Sequence, residues 1–509
     1  MKTYPAEQLG DANVAHMLLR TAAEAGDKAA VIQENDTVGY SELARRSLSI
    51  AAELVRRGVE PGDRVAIMLR RGAEAAAAFF GAAAAGAVAV TVNETLKRRQ
   101  IQHILDHCSA RFALTSKEML DRMPVVPGLS VLDVAGIPIS EEYAPVARVA
   151  DDVAQIVYTS GSTGLPKGVV ISHANLWAGM RSVTSYLSIT SEDRVASLLP
   201  FSFDYGFNQL MCCVGTGATL VVQTSPIPQR IVHTLRSQEV TVLPAVPPLW
   251  LQLLGVESFA GQRLDALRAM TNTGGRIPTE AVRRLRKAQP NAELVLMYGL
   301  TEAFRSTYLR PELVDRKPGS IGRAIPGAEI LLLREDLTPC EPGEIGQLVH
   351  RGPTVSLGYW NDPETTEKVF RPNPLRQTGA PASERVAFSG DLAHRDEEGD
   401  IYFVSRPDTM IKTLGYRVSP DEVVDVMYAS GEVAEAVVAA EPDEIKGSRI
   451  VAYVVLESEG SLDRLKEFCA SEMPRYMQPG RIETRPALER TASGKHDVRA
   501  TVAESGGLG

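Results

Sequence analysis

The chain of 509 residues contains only five cysteines, and their positions exclude two common uses of this residue. They show no paired metal-ligand spacing, and their odd number leaves one over from any disulfide scheme. This usage fits a reducing cytoplasm, so we expect a cytoplasmic protein. The cysteines are Cys108, Cys212, Cys213, Cys340 and Cys469.

The sequence also lacks an excess of positive charge. Its formal net charge is -9 at pH 7, and the sequence therefore offers no basic footprint for nucleic acid or for an anionic membrane. We expect neither nucleic acid nor a membrane among its partners.

Long hydrophobic runs are rare, and only residues 75–92 approach the length that spans a membrane. This run is mostly alanine and glycine, which partition weakly into hydrocarbon. It predicts a buried helix ending near Gly86, followed by a strand over 87–92. Residues 1–10 are polar and contain Pro5, which does not fit a signal peptide.

The length exceeds the size at which one hydrophobic core keeps growing, so two or more domains are expected. The first half shows helical and strand patterns in alternation, which predicts an α/β fold with parallel sheets flanked by helices. Neither an internal repeat nor a low-complexity segment is present. The patterns are helical over 40–57, 74–85 and 96–107 and strand-like over 64–68, 87–92 and 111–115.

The second half has a different organisation. Turns rich in proline and glycine separate short alternating strands over 343–358, which predicts an antiparallel β subdomain. A boundary near residue 405 precedes about a hundred residues with their own pattern, enough for a small α+β domain. The predicted units are a large domain over 1–405, a small domain over 406–500 and a disordered tail over 501–509. Within the small domain, helices are predicted over 422–427 and 462–470 and strands over 433–440 and 450–456.

A loop rich in glycine and hydroxyl side chains lies between two apolar runs, 154–157 and 169–171. Glycines bring backbone N–H groups close to an anion, and hydroxyls and a lysine add further donors, so this loop predicts a phosphate site. Its spacing does not fit the Walker A motif. A flexible linker is the alternative, but linkers usually have polar surroundings. The candidate residues are Thr159, Ser160, Gly161, Ser162, Thr163, Gly164 and Lys167.

This loop resembles the phosphate-loop signature of the adenylate-forming superfamily, which includes acyl-CoA synthetases, peptide-synthetase adenylation domains and beetle luciferases. Further signatures follow in the family's order over nearly the whole chain. The resemblance implies an AMP-forming ligase that uses ATP and Mg²⁺. It also implies that the large domain carries out adenylation and that the small domain is a mobile lid.

The segment 297–302 follows a strand-like run and resembles the family's adenine motif. By this resemblance Tyr298 and Gly299 border the adenine, Thr301 contacts the α-phosphate and Glu302 helps to hold Mg²⁺. A single glutamate suffices, because Mg²⁺ keeps waters beside one or two carboxylates. From the residues alone, the alternative is a strand-to-helix turn capped by Thr301.

Two further matches concern the nucleotide. Gly274 and Gly275 resemble the glycine pair between the adenine and substrate pockets, but Arg276 stands where the family more often has Glu or Ala, which leaves its contacts open. Asp391 resembles the acceptor of the ribose hydroxyls, and Arg406 a second ribose or phosphate contact. An aspartate after glycine is also common in surface turns.

The C-terminal matches imply a change of conformation. Asp408 resembles the family's hinge residue, and Gly415 belongs to a segment that resembles the loop that enters the family's site for the second half-reaction, although Gly415 also fits a simple hairpin turn. Lys495 lies on a glycine-containing loop that resembles the catalytic lysine motif. There it bridges the substrate carboxylate and the α-phosphate; a lysine near a C-terminus is otherwise usually solvated.

The substrate class depends on the segment 199–206. Amino-acid-activating members typically have Phe-Asp here, and the carboxylate pairs with the substrate ammonium, so Asp204 favours an amino acid. The alternative is that Asp204 caps the following helix. Tyr205 and Asn208 are further candidates for the pocket of this small-molecule carboxylate.

The thiol acceptor stays open between the phosphopantetheine of a separate carrier protein, which we favour, and coenzyme A. A fatty or aryl acid activated for coenzyme A is the alternative to an amino acid. A luciferase-like oxidation shares these motifs. A catalytically inactive nucleotide-binding protein is disfavoured, because Lys495, Glu302 and Asp391 are all present.

Overall fold

The structure is a computed structural model of the chain. It describes residues 10–139, 143–159, 166–379, 381–405, 411–413, 416–443 and 447–505.

The helices alternate with strands through the first 300 residues, as the sequence predicts. In chain order the helices are α1 Ala15–Ala25, α2 Tyr40–Arg56, α3 Ala73–Ala84, α4 Arg98–His107, α5 Lys117–Leu120, α6 His173–Tyr186, α7 Asp204–Thr216, α8 Pro228–Ser237, α9 Pro247–Leu254, α10 Glu257–Ala260, α11 Thr279–Ala288, α12 Pro363–Val369, α13 Pro420–Ala429, α14 Leu462–Glu472 and α15 Val498–Ser505.

The strands are β1 Ala29–Gln33, β2 Asp36–Gly39, β3 Arg64–Met68, β4 Val88–Thr91, β5 Phe112–Thr115, β6 Ser130–Asp133, β7 Val153–Thr159, β8 Lys167–Ser172, β9 Arg194–Ser197, β10 Thr219–Val222, β11 Val242–Ala245, β12 Ala269–Asn272, β13 Glu293–Tyr298, β14 Thr307–Leu309, β15 Arg323–Ala324, β16 Glu329–Leu333, β17 Gly346–Arg351, β18 Gly358–Tyr359, β19 Phe370–Pro372, β20 Arg385–Arg395, β21 Ile401–Ser405, β22 Ile411–Thr413, β23 Tyr416–Val418, β24 Val433–Asp443, β25 Gly447–Leu456 and β26 Arg481–Thr484.

Two large, mainly parallel sheets form the body of the protein. The first has the order β15-β14-β13-β12-β11-β9-β10-β1-β2, and the second β18-β8-β7-β4-β3-β5-β6. The pairs from β13 through β12, β11, β9 and β10 to β1 are parallel, and only edge strands pair antiparallel. This confirms the predicted α/β fold, because parallel strands need helical crossovers that cover the sheets.

The main hydrophobic core lies between these two sheets. It joins β3 and β4 of one sheet to β1 and β10 of the other through α1, α2, α3 and α7. In α3 the residues 75–84 are all buried, which explains a helix that is apolar all round. The apolar run is therefore a core helix followed by β4, as predicted. In the part of the chain that the structure describes, no helix is long and apolar enough to cross a membrane.

A smaller antiparallel sheet, with the order β16-β17-β20-β19 and with β21 paired to β20, follows the large sheets. All of its pairs are antiparallel. The predicted β subdomain is thereby confirmed. Its strand β20 contains Gly390, which has a φ of +74°, and the register of its pairing with β17 and β21 shifts near Asp391, as in a β-bulge.

The C-terminal segment has a core of its own. The sheet β24-β25-β26 packs with α13 and α14 around Val423, Met427 and Leu465. The predicted disordered tail from residue 501 is wrong for 501–505, because helix α15 continues to Ser505. Thr501 is buried, and Val502 packs against the sheet beside Val437 and Tyr453.

Candidate active site

The predicted motifs meet at the carboxyl edge of the first sheet. Strands β12 and β13 pair in parallel and end at Asn272 and Tyr298, directly before the glycine pair and the Thr301–Glu302 motif. Helix α7 begins at Asp204, after the parallel strand β9. Ligands of open α/β sheets bind outside this edge, so the topology supports a site here.

Lys495 reaches this edge from the small domain. Its Nζ lies 5.2 Å from the centre of the Phe203 ring. Gly274 has a φ of +83°, and a Cβ atom there would lie 3.0 Å from Lys495 Cε and 3.2 Å from Val246 Cγ1. Because glycine has no Cβ, the lysine stem passes directly against the backbone of the glycine pair. The structure thus brings together two motifs that are more than two hundred residues apart in sequence.

The loop that carries Lys495 is a closed turn. The Thr491 N–H donates to the Lys495 carbonyl at 2.7 Å, and the Lys495 N–H donates to Thr491 Oγ1 at 3.2 Å. The Asn93 side-chain amide of the large domain donates to the Ala492 carbonyl at 3.2 Å. These bonds fix the lysine backbone and dock its loop on the large domain.

A half-buried cluster of polar and charged side chains supports this loop from the small-domain sheet. Glu435 accepts hydrogen bonds from Arg490 at 2.7 Å and from His496 at 3.0 Å, on either side of the loop. Burial alone would raise the pKa of Glu435, but the His496 hydrogen bond and the Arg490 charge outweigh it and lower the pKa. Glu435 therefore clamps both ends of the loop as a carboxylate.

Arg276 has a partner that the sequence did not suggest. Its guanidinium lies 2.5 Å from a carboxylate oxygen of Asp425 on α13, so it joins the large domain to the small one. Burial raises the pKa of Asp425 to about 6, against the lowering effect of the Arg276 charge. Its predicted nucleotide contact stays a prediction, but this pair already explains a charged residue after the glycines.

We expect Arg276→Ala to lower the adenylation rate at pH 7.5 by about five- to tenfold, because a half-buried carboxylate loses its cation and the small domain docks less well. The double variant Arg276→Ala, Asp425→Asn should recover most of this loss, since no uncompensated charge then stays in the interface. ATP–pyrophosphate exchange measures both. Arg283→Ala, which removes an exposed pair with Glu280 on α11, is the matched control.

The pH dependence of this effect has a definite sign. Burial raises the pKa of Asp425 to about 6, and we expect docking beside the glycine pair to supply part of this burial, so the docked state should hold more protons between about pH 4 and 6. Protonation therefore favours docking, and docking weakens as the pH rises through about 6. The defect of Arg276→Ala should shrink between pH 7.5 and 5.5. A defect that is the same at both pH values, or that Asp425→Asn does not relieve, would contradict this account.

Tyr298 and Asp391, predicted for adenine and ribose, are in direct contact. The Tyr298 hydroxyl donates to Asp391 Oδ2, and Asp391 is fully buried. The Tyr298 ring stacks on His350 with centroids 6.0 Å apart and planes at 19°. Burial lowers the pKa of His350 to about 3, so this ring is neutral. Tyr298 and Asp391 therefore lie side by side at the end of β13.

Glu302 is held by a tyrosine that sequence reasoning missed. The Tyr359 hydroxyl donates to Glu302 Oε1 at 2.6 Å, and the Ser356 N–H donates to the Glu302 carbonyl at 2.9 Å. Burial, together with the Glu302 charge, raises the pKa of Tyr359 well above its usual range, so it stays a donor. The oriented carboxylate fits Mg²⁺, which takes one or two carboxylates beside phosphate and water oxygens. Among the described residues no group of three or more metal-ligating side chains occurs.

Lys167 lies at the far end of the phosphate loop and is engaged with α12. It donates to Thr365 Oγ1 at 2.9 Å, pairs with Asp362 at 3.3 Å and lies 5.8 Å from the centre of the Tyr359 ring. Its predicted phosphate contact stays a prediction. The geometry places its charge next to the tyrosine that holds Glu302.

Asp204 lies at the first residue of α7 and lines a cavity. Its Oδ1 accepts from the Tyr205 N–H at 2.7 Å, and its Oδ2 accepts weakly from Thr301 Oγ1 at 3.4 Å. In the described parts of the chain, no Lys, Arg or His nitrogen lies within 4.0 Å of its carboxylate. The helix start accounts for Oδ1, and the residue lines a cavity together with Thr301 and Asn208.

Tyr205 and Asn208 occupy different places beside this cavity. Tyr205 is buried and donates its hydroxyl to the Thr271 carbonyl at 2.8 Å, and it lines a second, adjoining cavity. Asn208 lines both cavities. The predicted pocket residues therefore lie together, with Asn208 at the junction.

Two residues of the site were not among the predictions. Tyr359 is 57 residues from Glu302 in sequence, and no local pattern marks it. Arg305 lies only three residues after Glu302, and a second charged residue so close to the adenine motif is a signal that could have found it. It lines the second cavity.

Several predicted residues lie outside the described residues. They are Ser160, Gly161, Ser162, Thr163, Gly164, Arg406, Asp408 and Gly415. Of the phosphate loop, Thr159 ends β7 and Lys167 begins β8, and the two face each other in the antiparallel register.

Comparisons with known proteins agree with this geometry. A family model described as "AMP-binding enzyme" matches residues 18–360, and one described as "AMP-binding enzyme C-terminal domain" matches residues 422–495. Novobiocin biosynthesis protein H from Streptomyces niveus is 30% identical over 97% of this chain and 82% of its own length. Delta-poly-L-ornithine synthetase from Acinetobacter baumannii is 30% identical over 98% of this chain, which spans only 37% of that relative.

Among solved structures, o-succinylbenzoate CoA synthetase from Bacillus subtilis is 28% identical. Its complex with an acyl-adenylate intermediate gives a TM-score of 0.81 and covers 94% of this chain and 96% of that one. Its complex with ATP and magnesium ion gives a TM-score of 0.82, and the match covers 96% of this chain and 99% of that one. The likeness extends over both the large and the small domain.

Proposed function

The chain belongs to the AMP-binding enzymes, the adenylate-forming acid ligases, and we propose that it activates an amino acid and transfers the acyl group to the phosphopantetheine thiol of a carrier protein. The observation that carries the first half of this proposal is the position of Lys495 against Gly274, at the carboxyl edge of β12 and β13. The position of Asp204 on the cavity wall carries the choice of an amino acid.

In the first step an oxygen of the substrate carboxylate attacks the α-phosphorus of ATP. The new bond joins that oxygen to phosphorus, and the bond to pyrophosphate breaks. Two anions meet in this step, so a cation between them lowers the barrier. Lys495 would bridge the carboxylate and the α-phosphate, while the Thr301 hydroxyl donates to the phosphate. The protein contributes positioning and charge and forms no covalent bond.

Glu302, oriented by Tyr359, would hold Mg²⁺. Bound there, the ion would neutralise charge on the phosphates as pyrophosphate leaves. Tyr298 and Asp391 would border the adenosine, with the Asp391 carboxylate accepting from the ribose hydroxyls. These assignments use the residues that the geometry brings to one edge.

In the second step a thiolate attacks the acyl carbon, the bond to the adenylate oxygen breaks and AMP leaves. Lys495 has no role here, because no anion attacks phosphorus. We propose that the small domain rotates between the two steps, which releases the Asn93–Ala492 and Arg276–Asp425 contacts. The proposed pivot is Asp408.

Asp204 supports an amino acid as substrate. A half-buried carboxylate on a cavity wall favours a cation, and the described residues around it supply none. The substrate ammonium would meet Asp204 Oδ2, while Oδ1 stays on the Tyr205 N–H. An acid without an amino group would leave this charge without a partner.

The test pairs Asp204→Asn with two acids that differ only in the α-amino group. For the amino acid, kcat/KM in ATP–pyrophosphate exchange should fall by about 10- to 100-fold, the worth of a charged hydrogen bond. For the des-amino analogue it should change little, because asparagine keeps the shape of the site. If kcat/KM falls equally for both acids, Asp204 only stabilises the start of α7. The argument for an amino acid as substrate then fails.

Coenzyme A is the second candidate acceptor, favoured by the likeness to o-succinylbenzoate CoA synthetase over both domains. A loaded carrier protein gains the acyl mass on its phosphopantetheine arm, whereas coenzyme A becomes an acyl-CoA. Mass spectrometry after incubation with each thiol decides between them. With coenzyme A as the only acceptor, the carrier-protein half of the proposal fails and the adenylation half stands.

A further inference from the structure

Arg305 is a buried cation beside the proposed substrate cavity. Only 2% of its surface is exposed. It lies where the chain folds back after β13, because the Ser306 N–H donates to the Tyr298 carbonyl at 3.0 Å. A Cβ at Gly299 would lie 2.8 Å from Arg305 Cα, so glycine permits this return. Arg305 itself has a φ of +42°, a conformation that is unfavourable for a residue with a side chain.

The guanidinium of Arg305 has aromatic neighbours but no anion. It lies 4.3 Å from the centre of the Tyr205 ring and 5.0 Å from that of Phe304. Its Nε and Nη2 atoms are buried and make no hydrogen bond within the described parts of the chain. No carboxylate of the described residues lies within 4.0 Å of it. Aromatic faces offset only part of the desolvation of a buried cation.

The second cavity contains further polar groups without partners. Arg305 lines it together with Tyr205, Asn208 and Gln209. Gln209 is buried, and its side-chain oxygen and nitrogen make no hydrogen bond within the described residues. A purely apolar ligand would leave the guanidinium and this amide unsatisfied. A carboxylate would pair with the guanidinium, since the arginine fork matches its two oxygens, and it would accept a further hydrogen bond from the amide N–H.

The two cavities adjoin at Asn208, which lines both. Asp204 lines one of these cavities and Arg305 the other. Resting on the proposed function, we propose that Arg305 binds a second carboxylate of the substrate, so that the acid activated is a dicarboxylic one. With an ammonium on Asp204, the substrate is an aminodicarboxylic acid.

The first experiment compares each diacid with its half-amide, which has the same shape without the charge: glutamate with glutamine, and aspartate with asparagine. Wild-type kcat/KM in ATP–pyrophosphate exchange should favour one diacid over its half-amide by about 100-fold or more, since a half-amide leaves the guanidinium unpaired. Arg305→Met should lower kcat/KM for the diacid by about 100-fold and leave that for the half-amide unchanged or raised. Arg305→Lys keeps the positive charge but not the two parallel donors of the guanidinium. Its kcat/KM for the diacid should lie between the values for the wild type and for Arg305→Met.

Arg181→Met is the matched control, because Arg181 also lies over an aromatic ring, 5.2 Å from the Trp177 centroid, but is exposed. It should leave the diacid preference unchanged. If Arg305→Met lowers the rates for diacid and half-amide equally and also lowers Tm, Arg305 only packs on Tyr205 and the proposal is overturned. A wild-type preference for a neutral or monocarboxylic acid overturns it as well.

Equilibrium dialysis of the same diacids, without ATP, separates this inference from the proposed function. Diacid binding that Arg305→Met abolishes, with no pyrophosphate exchange for any acid, upholds the anion site and refutes the ligase. Exchange with neutral amino acids, and no Arg305-dependent binding of any diacid, upholds the ligase and refutes the anion site. Failure of every acid to bind or react refutes both.

Discussion

Lys495→Ala is expected to lower ATP–pyrophosphate exchange by about 100- to 1,000-fold, the usual cost of removing one preorganised donor from a developing anion. The side chain lies against Gly274 and Phe203, so the small domain carries a cation to this edge. Without it, the substrate carboxylate and the α-phosphate meet with their repulsion uncompensated. The KM for ATP should change far less than kcat, because the lysine acts mainly as charge moves.

The same variant should still form thioester when it is given the preformed acyl-adenylate. In that step a thiolate attacks carbon, and no group is needed between two anions. Lys466→Ala is the matched control and should leave both rates unchanged, because this lysine of α14 is exposed and its one ion pair with the described residues is to Asp463. If Lys495→Ala loses both half-reactions together, the lysine supports the fold of the loop and the two-step assignment is wrong.

Much of the fold can be predicted from the sequence, because the patterns that indicate helices and strands are local. The alternation of helical and strand periods predicts parallel sheets, and the apolar run 75–92 reads as α3 and β4 because alanine and glycine suit a helix packed between sheets. Helix α15 was not predicted, because the glycine-rich residues at the end of the given sequence suggested disorder. Its cap is nevertheless visible afterwards, since Asp497 Oδ1 accepts from the Ala500 N–H at 3.0 Å.

The residues of the site also fall into two groups, those that the sequence can place and those that it cannot. Motifs at strand ends, such as Tyr298 and Thr301, can be placed from sequence because the carboxyl edge of a parallel sheet collects them. The partners that orient these groups cannot. Arg276 pairs with Asp425 only because α13 docks beside the glycine pair, and nothing local in either segment signals that contact.

Glu302→Gln is the second variant with a large expected effect, about 100-fold or more in ATP–pyrophosphate exchange, because the amide keeps the shape of the side chain but not the charge that attracts Mg²⁺. The loss should be partly recovered at high Mg²⁺ concentration. A titration of activity against Mg²⁺ therefore measures it: the half-saturating concentration should rise together with the fall in kcat. If the half-saturating Mg²⁺ concentration does not change, Glu302 does not bind the ion.

Tyr359→Phe tests how Glu302 is held. The lost hydroxyl donates to Glu302 Oε1 at 2.6 Å, so the carboxylate should keep its charge but lose its orientation. The half-saturating Mg²⁺ concentration should rise by about tenfold, as for other groups that orient a metal ligand. Tyr402→Phe, in which the lost hydroxyl belongs to a ring stacked on His394 in the β subdomain, is the matched control. In a Glu302→Gln background, Tyr359→Phe should have little further effect, because the tyrosine acts on Mg²⁺ only through that carboxylate.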